Sequence, residues 1–247
     1  LKKVKQFQPG KEIKQMLPSE VNANIENFPI LLQTAVEEKA FPGGVLLAAK
    51  DGKIFFHQAF GFHTYGKKRK MRKSDIFDLA SISKVVATTS AIMKMYDDKL
   101  IDLDDKVVSY LPQFKGRQKK YFNHKSNITI KHLLTHSSGL PPFRKYFLMD
   151  KDIKLVLDSL YNTEPIYGLE EKTVYSDVGI IALGKIVEKV SLKGLDTYVK
   201  ENITAPLGMH TTFFNPPKEK INRIVPTEID QNNNLIKGYV HDENAFK

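Results

Sequence analysis

The sequence predicts an α/β fold: an antiparallel sheet flanked by helices, with a mainly helical second region, incomplete at the C-terminus. Three observations carry this expectation. An amphipathic stretch opens the ordered part of the chain. Two short apolar runs follow, separated by Asp51-Gly52. The middle of the chain then repeats apolar residues at helical spacing.

The elements can be justified in order. Residues 1–22 are polar and lysine-rich and read as a lead-in segment, ahead of a domain covering 23–247. Ile25, Phe28, Leu31, Leu32 and Ala35 recur at helical spacing over Ile25–Glu38, and Phe41-Pro42-Gly43-Gly44 stops that helix. Val45–Ala49 and Ile54–Ala59 flank Asp51-Gly52, a strong hairpin signal. A long helix is expected over Ser81–Lys99, with Val85, Val86, Ile92, Met93 and Met95 as its apolar positions. Asp102 to Asp105 and Leu111-Pro112 mark a loop and a short helix. Thr129 can cap a helix over Lys131–Thr135 that ends at Ser137-Ser138-Gly139. Further helices are expected over Asp152–Leu160, Val178–Val190 and Leu195–Ile203. After Pro206 the chain is loop-rich, and Asn232-Asn233-Asn234 reads as a turn. Two strands cannot stably bury a sheet face by themselves. Residues 215–247 offer few more, so the chain is expected to be incomplete.

Composition narrows the possibilities. With 247 residues, 41% hydrophobic and 27% charged, the chain can bury a sizeable core in one or two domains. No apolar run approaches the ~20 residues of a membrane-spanning helix, so no transmembrane segment is expected. Leu1-Lys2-Lys3-Val4-Lys5 has no apolar stretch behind it and is not a signal peptide. The absence of cysteine excludes disulfides, thiolate catalysis and cysteine-ligated zinc. The net charge of +10 raises the prior for anionic partners. The densest basic run, Lys67-Lys68-Arg69-Lys70 with Arg72 and Lys73, follows Gly66 and reads as a solvated hairpin loop. No nucleic-acid motif accompanies it, and no nucleic-acid partner is expected.

The chemistry centres on Leu79-Ala80-Ser81-Ile82-Ser83-Lys84, at an expected helix N-terminus. Residues three apart share a helix face. A serine hydroxyl becomes a useful nucleophile only when a base takes its proton, and a neighbouring lysine can do so if desolvation lowers its pKa. The helix N-terminus adds N–H groups that favour a developing oxyanion. Taken alone, Ser-x-x-Lys is common by chance and reads better as a capping serine beside a solvated lysine.

Other segments change that balance. Phe77 to Lys84, Lys99-Leu100-Ile101-Asp102-Leu103-Asp104, Ile128 to Leu140, Tyr175-Ser176-Asp177-Val178-Gly179 and Pro206-Leu207-Gly208-Met209 occur in one order. In these the chain resembles the serine β-lactamase, penicillin-binding-protein and related-esterase family, particularly its class C-like branch. The resemblance runs from about residue 25 to the end. It implies that Ser81 attacks an acyl carbon to form an acyl-enzyme, with Lys84 and Tyr175 moving the proton and then activating water. Which of the two is the base stays open. It implies no cofactor and no metal. The substrate would be an ester, a D-amino-acid peptide or a β-lactam, with cell-wall peptides as possible partners. Family members usually act outside the cytoplasm, which places this one in the periplasm or elsewhere beyond the cytoplasm.

Two departures from the family pattern stand out. The second motif is usually Tyr-x-Asn, and Asp177 replaces the asparagine. Residues two apart in an extended turn point to one side, so Tyr175 and Asp177 can both face Ser81. An ionised aspartate accepts hydrogen bonds but cannot donate them. Asp177, a candidate substrate-binding residue, should therefore pair with Lys84, favour its charged form and bind an amide carbonyl poorly. Parsing Ser176-Asp177-Val178 as a Ser-Asp-Asn motif fails, because Val178 lacks the amide. The other departure is the family's third motif, Lys-Thr-Gly or His-x-Gly, which does not occur in the sequence. Losing one oxyanion donor typically costs about a hundred- to thousandfold in rate, so these residues alone are expected to be weak or inactive. The alternative function is a degenerate member that binds cell-wall peptides or a protein partner without turnover. His132 and His136 stand at i, i+4 as zinc ligands can; the family signature explains both, and neither is expected to bind metal. His57, His63 and His241 have no partner visible in the sequence.

Overall fold

The computed structural model describes residues 27–149 and 152–246. The lead-in expected over 1–22 and the start of the first expected helix lie outside them. The chain divides into two compact units. One holds residues up to Asp78 together with Asn215–His241, and the other holds Leu79–Phe214 with the residues after His241.

In the first unit, helix α1 (Phe28–Glu37) begins with Pro29 near its N-terminus, where a missing N–H costs nothing. Strands β1 (Gly43–Lys50) and β2 (Lys53–Gly61) pair antiparallel. Both residues of their turn, Asp51 and Gly52, have positive φ (50° and 72°), the geometry a tight two-residue hairpin needs. Phe56 and Phe60 share one face of β2 and stack with ring centroids 6.4 Å apart, and Phe28 of α1 meets Phe56 edge-on at 5.7 Å. Strands β3 (Glu228–Ile229) and β4 (Leu235–Ile236) form a small hairpin closed by Asp230, whose Oδ1 accepts from the N–H groups of Asn232 and Asn234.

The basic run is a hydrogen-bonded loop. Lys67, Lys68, Lys70, Arg72 and Lys73 are exposed, while Met71 and Asp75 anchor the loop inward. The structure supplies the partner of His63 that the sequence does not show. His63 is buried, and its Nε2 lies 2.8 Å from Asp75 Oδ2, which also accepts the Arg72 N–H at 2.7 Å. The separation of twelve positions between His63 and Asp75 conceals this pair from a local reading.

In the second unit, the expected single helix over Ser81–Lys99 is corrected. The chain is helical throughout 82–97 but not uniform: a first helical turn at 82–83 widens into π-type turns over Lys84–Thr89 and becomes regular helix α2 at Ser90–Asp97. Ser90 Oγ donates to Val85 O, five residues back, at 3.0 Å. Helices α3 (Val107–Tyr110), α4 (Phe122–Asn127), α5 (Ile130–Leu134), α6 (Ile153–Asn162), α7 (Asp177–Ser191) and α8 (Leu195–Val199) follow, with π-type turns continuing α8 over Lys200–Thr204. Helix α9 (Glu243–Phe246) joins this unit, where Asn244 Oδ1 accepts the Phe147 N–H at 3.0 Å. Thr129 caps α5 reciprocally with His132, Asp152 caps α6, and Ser176 caps α7. The core gathers Ile92, Met95, Phe114, Leu133, Leu183 and Ile186, all essentially buried. Each contributes roughly 1.5–3 kcal/mol by leaving water. Helix α7 packs on α5 at Gly179, where a Cβ would make ordinary van der Waals contact with Leu133 Cδ2 at 3.5 Å. This contact fixes the N-terminus of α7, where two of the sequence-named residues sit.

Candidate active site

Ser81 lies on a tight turn. The N–H groups of Ile82, Ser83 and Lys84 donate to the carbonyls of Leu79, Ala80 and Ser81, each three residues back, at 2.9, 3.0 and 3.1 Å. Ala80 has φ of 45°, left-handed for a residue with a Cβ. Such strain persists only when surrounding structure holds it, and it concentrates at functional sites. The turn brings the Lys84 side chain back over Ser81, and Lys84 Nζ donates to Ser81 Oγ at 2.8 Å.

The segment entering α7 faces the same lysine. Ser176 is buried; its Oγ donates to Pro141 O at 2.7 Å and accepts the Gly179 N–H at 3.3 Å. Its backbone is extended (φ −131°, ψ 113°), so its neighbours turn to the other side. The Asp177 N–H is held by Pro142 O at 2.8 Å. Asp177 Oδ1 lies 2.9 Å from Lys84 Nζ, and the Tyr175 ring centroid lies 5.2 Å from it. Tyr175, like Asp177, favours the charged form of Lys84. Ser81, Lys84, Tyr175 and Asp177 therefore meet around one ammonium group. Ser176 takes no part in that meeting, because its hydroxyl is committed to Pro141.

A fifth residue was missed at the level of sequence. His136 Nδ1 accepts the Ser176 N–H at 3.1 Å, and its ring lies 4.8 Å from that of Tyr175 at an interplanar angle of 43°. It follows α5 in the bend that includes Gly139. Gly139 has φ of 75°, and a Cβ there would collide with the Tyr167 carbonyl oxygen. The bend places Gly139 O where it accepts the Ile166 N–H at 2.8 Å, so the chain leading to Tyr175 lies alongside. His132 has a different task. Its Nδ1 accepts the Thr129 N–H at 3.1 Å and its Nε2 faces Glu170 at 3.3 Å. Forty residues separate His136 from Ser176, and no local pattern signals the contact. Among the described residues no group of three metal-ligating side chains comes together.

The charges in this cluster oppose one another. Burial works to lower the Lys84 pKa, but the contacts with Asp177 and Tyr175 outweigh it, and the ammonium is held above its ordinary value. Burial and the Lys84 charge push the His136 pKa down, against the pull of Asp177. At neutral pH the site therefore holds a charged lysine and a neutral imidazole.

Similarity to known proteins agrees with this fold. The chain superposes on a class C β-lactamase with a TM-score of 0.74 at 18% identity, covering 93% of this chain and 60% of that one. It superposes equally well, TM-score 0.74 at 24% identity, on EstCE1, a hydrolase with promiscuous acyltransferase activity, covering 86% and 58%. The architecture is thus that of the β-lactamases and related hydrolases. A family model described as Beta-lactamase matches residues 29–243, and the chain belongs to that family. It is 34% identical over 239 residues to an N-acetylmuramyl-L-alanine amidase of Bacillus subtilis (strain 168), covering 83% of this chain and 53% of the relative. It is 32% identical over 237 residues to a putative D-alanyl-D-alanine carboxypeptidase of Escherichia coli (strain K12), covering 83% and 54%. The chain spans about half the length of these two relatives. Among the described residues, no helix is long and apolar enough to cross a membrane.

Proposed function

We propose that residues 23–247 belong to a serine acyl hydrolase in which Ser81 forms an acyl-enzyme, with Lys84 and Tyr175 handling the proton. The observation that carries this reading is the 2.8 Å contact from Lys84 Nζ to Ser81 Oγ, on a chain of the Beta-lactamase family. In the first step Oγ bonds to the substrate's acyl carbon and the hydroxyl proton passes through the site to the leaving group. In the second, water attacks the acyl carbon, the ester bond to Oγ breaks, and the proton returns to Ser81. An ammonium cannot accept a proton. With Lys84 held charged by Asp177, only the small fraction present as neutral amine can take the Ser81 proton, and Tyr175 stands beside it as the other candidate for the transfer.

The substrate class is a carboxylic acyl compound: an ester, a D-amino-acid peptide or a β-lactam. Relatives named as a muramyl-alanine amidase and a carboxypeptidase support a cell-wall peptide, acted on outside the cytoplasm. Asp177 supports a bias toward esters or unusual peptides over penicillins, since a carboxylate beside Ser81 offers no donor to an amide carbonyl. Asp177→Asn should raise penicillin acylation relative to ester hydrolysis; an unchanged ratio sinks that bias.

A second reading, binding without turnover, is favoured by the raised pKa of Lys84, which leaves the serine without a neutral amine. Intact mass spectrometry before and after treatment with a fluorophosphonate or a penicillin separates the two. A mass adduct present in the wild-type protein and absent from Ser81→Ala is expected. No adduct with either probe on a protein that also carries the third motif would favour the binding reading.

A further inference from the structure

His136 grips the chain on both sides of Tyr175. Its carbonyl accepts the Val174 N–H at 2.9 Å, and its Nδ1 accepts the Ser176 N–H at 3.1 Å. Its own N–H donates to Leu133 O at 3.2 Å, which ties the grip to the end of α5. Between these two bonds the imidazole lies against the Tyr175 ring. The φ of His136 is 56°, a conformation that residues with a Cβ seldom adopt.

The grip depends on the charge of the ring. A neutral imidazole with its hydrogen on Nε2 presents a lone pair at Nδ1, and this lone pair accepts the Ser176 N–H. An imidazolium carries hydrogen on both nitrogens, so Nδ1 would face the Ser176 N–H with a hydrogen of its own. The charged groups facing the ring are Lys84, which repels a second cation, and Asp177, which attracts one. Tyr175 is the other titratable side chain against it.

We propose that His136 is the positioning residue for Tyr175, and that protonation of its ring releases the Ser176 N–H and switches the site off on the acid side. This rests on the acyl-transfer reading of Ser81. Burial and the Lys84 charge keep the ring neutral until the pH falls below the ordinary histidine range, so the grip is closed at neutral pH and opens in acid. The contacts that carry the effect to the chemistry are those of the His136 ring with the Ser176 N–H and the Tyr175 ring.

The test is the rate of Ser81 labelling by a fluorophosphonate between pH 4.5 and 8.5, for wild type, H136N and H136L, with Ser81→Ala as control. Asparagine tolerates the left-handed backbone, and its Oδ1 can accept the Ser176 N–H, but it does not titrate. Leucine neither accepts nor titrates. On the acid limb wild type should lose about a further tenfold in rate per pH unit, beyond the slope that Lys84 gives to every variant. H136N should be less than tenfold slower than wild type at neutral pH and lack that further loss. H136L should be slower than H136N at every pH. An acid limb that persists unchanged in H136N overturns the switch. H136L labelling as fast as wild type overturns the positioning role. If H136L fails to fold, the H136N profile decides alone. No Ser81-dependent labelling of wild type would refute the acyl-transfer reading and the inference with it; labelled wild type with unaltered His136 variants refutes the inference only.

Discussion

Two lysines of the second unit differ in a way that depth of burial does not explain. Lys125, on α4, is buried almost completely. Its Nζ donates to Tyr161 O at 2.6 Å and Thr163 O at 2.9 Å and lies 4.5 Å from the centre of the Phe114 ring. Burial lowers its pKa from 10.5 to about 8, with Glu164 pulling weakly the other way. Lys84 is partly buried too, yet its pKa moves up, because a carboxylate and a phenol face it. A lysine becomes a base when burial removes water without supplying an anion. By that measure a lysine brought toward neutrality stitches α4 to the end of α6, and the lysine beside Ser81 is kept as a cation by Asp177.

Substitutions can break this contrast, and the largest effect should come at Lys84. Lys84→Met removes the group that touches Ser81, Tyr175 and Asp177 together, and Ser81 labelling should fall by about 10²- to 10⁴-fold. A rate within tenfold of wild type would remove Lys84 from the proposed machinery. Asp177→Asn should turn Lys84 toward the behaviour of Lys125. Without the carboxylate the burial effect gains weight and the Lys84 pKa falls, so neutral amine becomes available at lower pH. The alkaline rise in labelling rate should then move acidward by about one pH unit or more. A profile that stays in place would mean that Asp177 does not hold the ammonium.

At Lys125 the readout is stability. The folded pKa is about 8 and the unfolded value 10.5, so between them the unfolded chain binds more protons. Stability from this group therefore rises with pH across that window and is lowest below pH 8. Urea unfolding at pH 7.5, 9 and 10 should show this rise in wild type and not in Lys125→Met. The variant should also be about 1–3 kcal/mol less stable at the upper end, where the Tyr161 and Thr163 carbonyls are left without their donor. An equal pH slope in both proteins would contradict the lowered pKa. The smallest effect is expected of Glu164→Gln. It removes the weak opposing charge, should change stability by less than about 0.5 kcal/mol, and should start the rise at slightly lower pH. A larger loss would show that Glu164 partners Lys125 directly.

Much of this molecule was legible in local pattern. Asp51-Gly52 announced the hairpin, and both residues adopt the positive φ its turn requires. Thr129 was readable as the cap of α5 from its place before an apolar run. The spacing of Ser81 and Lys84 put them within reach because one turn of chain is a local structure. The helix expected over Ser81–Lys99 was legible only in part, because the wide turns over Lys84–Thr89 leave no signature in apolar periodicity.

Other contacts had no local trace. His63 finds Asp75 twelve residues away, Lys125 finds carbonyls 36 and 38 residues on, and His136 reaches across 40 residues to Ser176. By itself the sequence determined the hairpin, the caps, the helical region and the pairing of a serine with a lysine. These follow from steric limits and hydrogen bonds between near neighbours, which hold wherever the segment folds. The tertiary structure decided which protonation state each lysine and histidine favours. A pKa depends on the water removed and the charges brought close, and for Lys84, Lys125 and His136 those are supplied by distant parts of the chain.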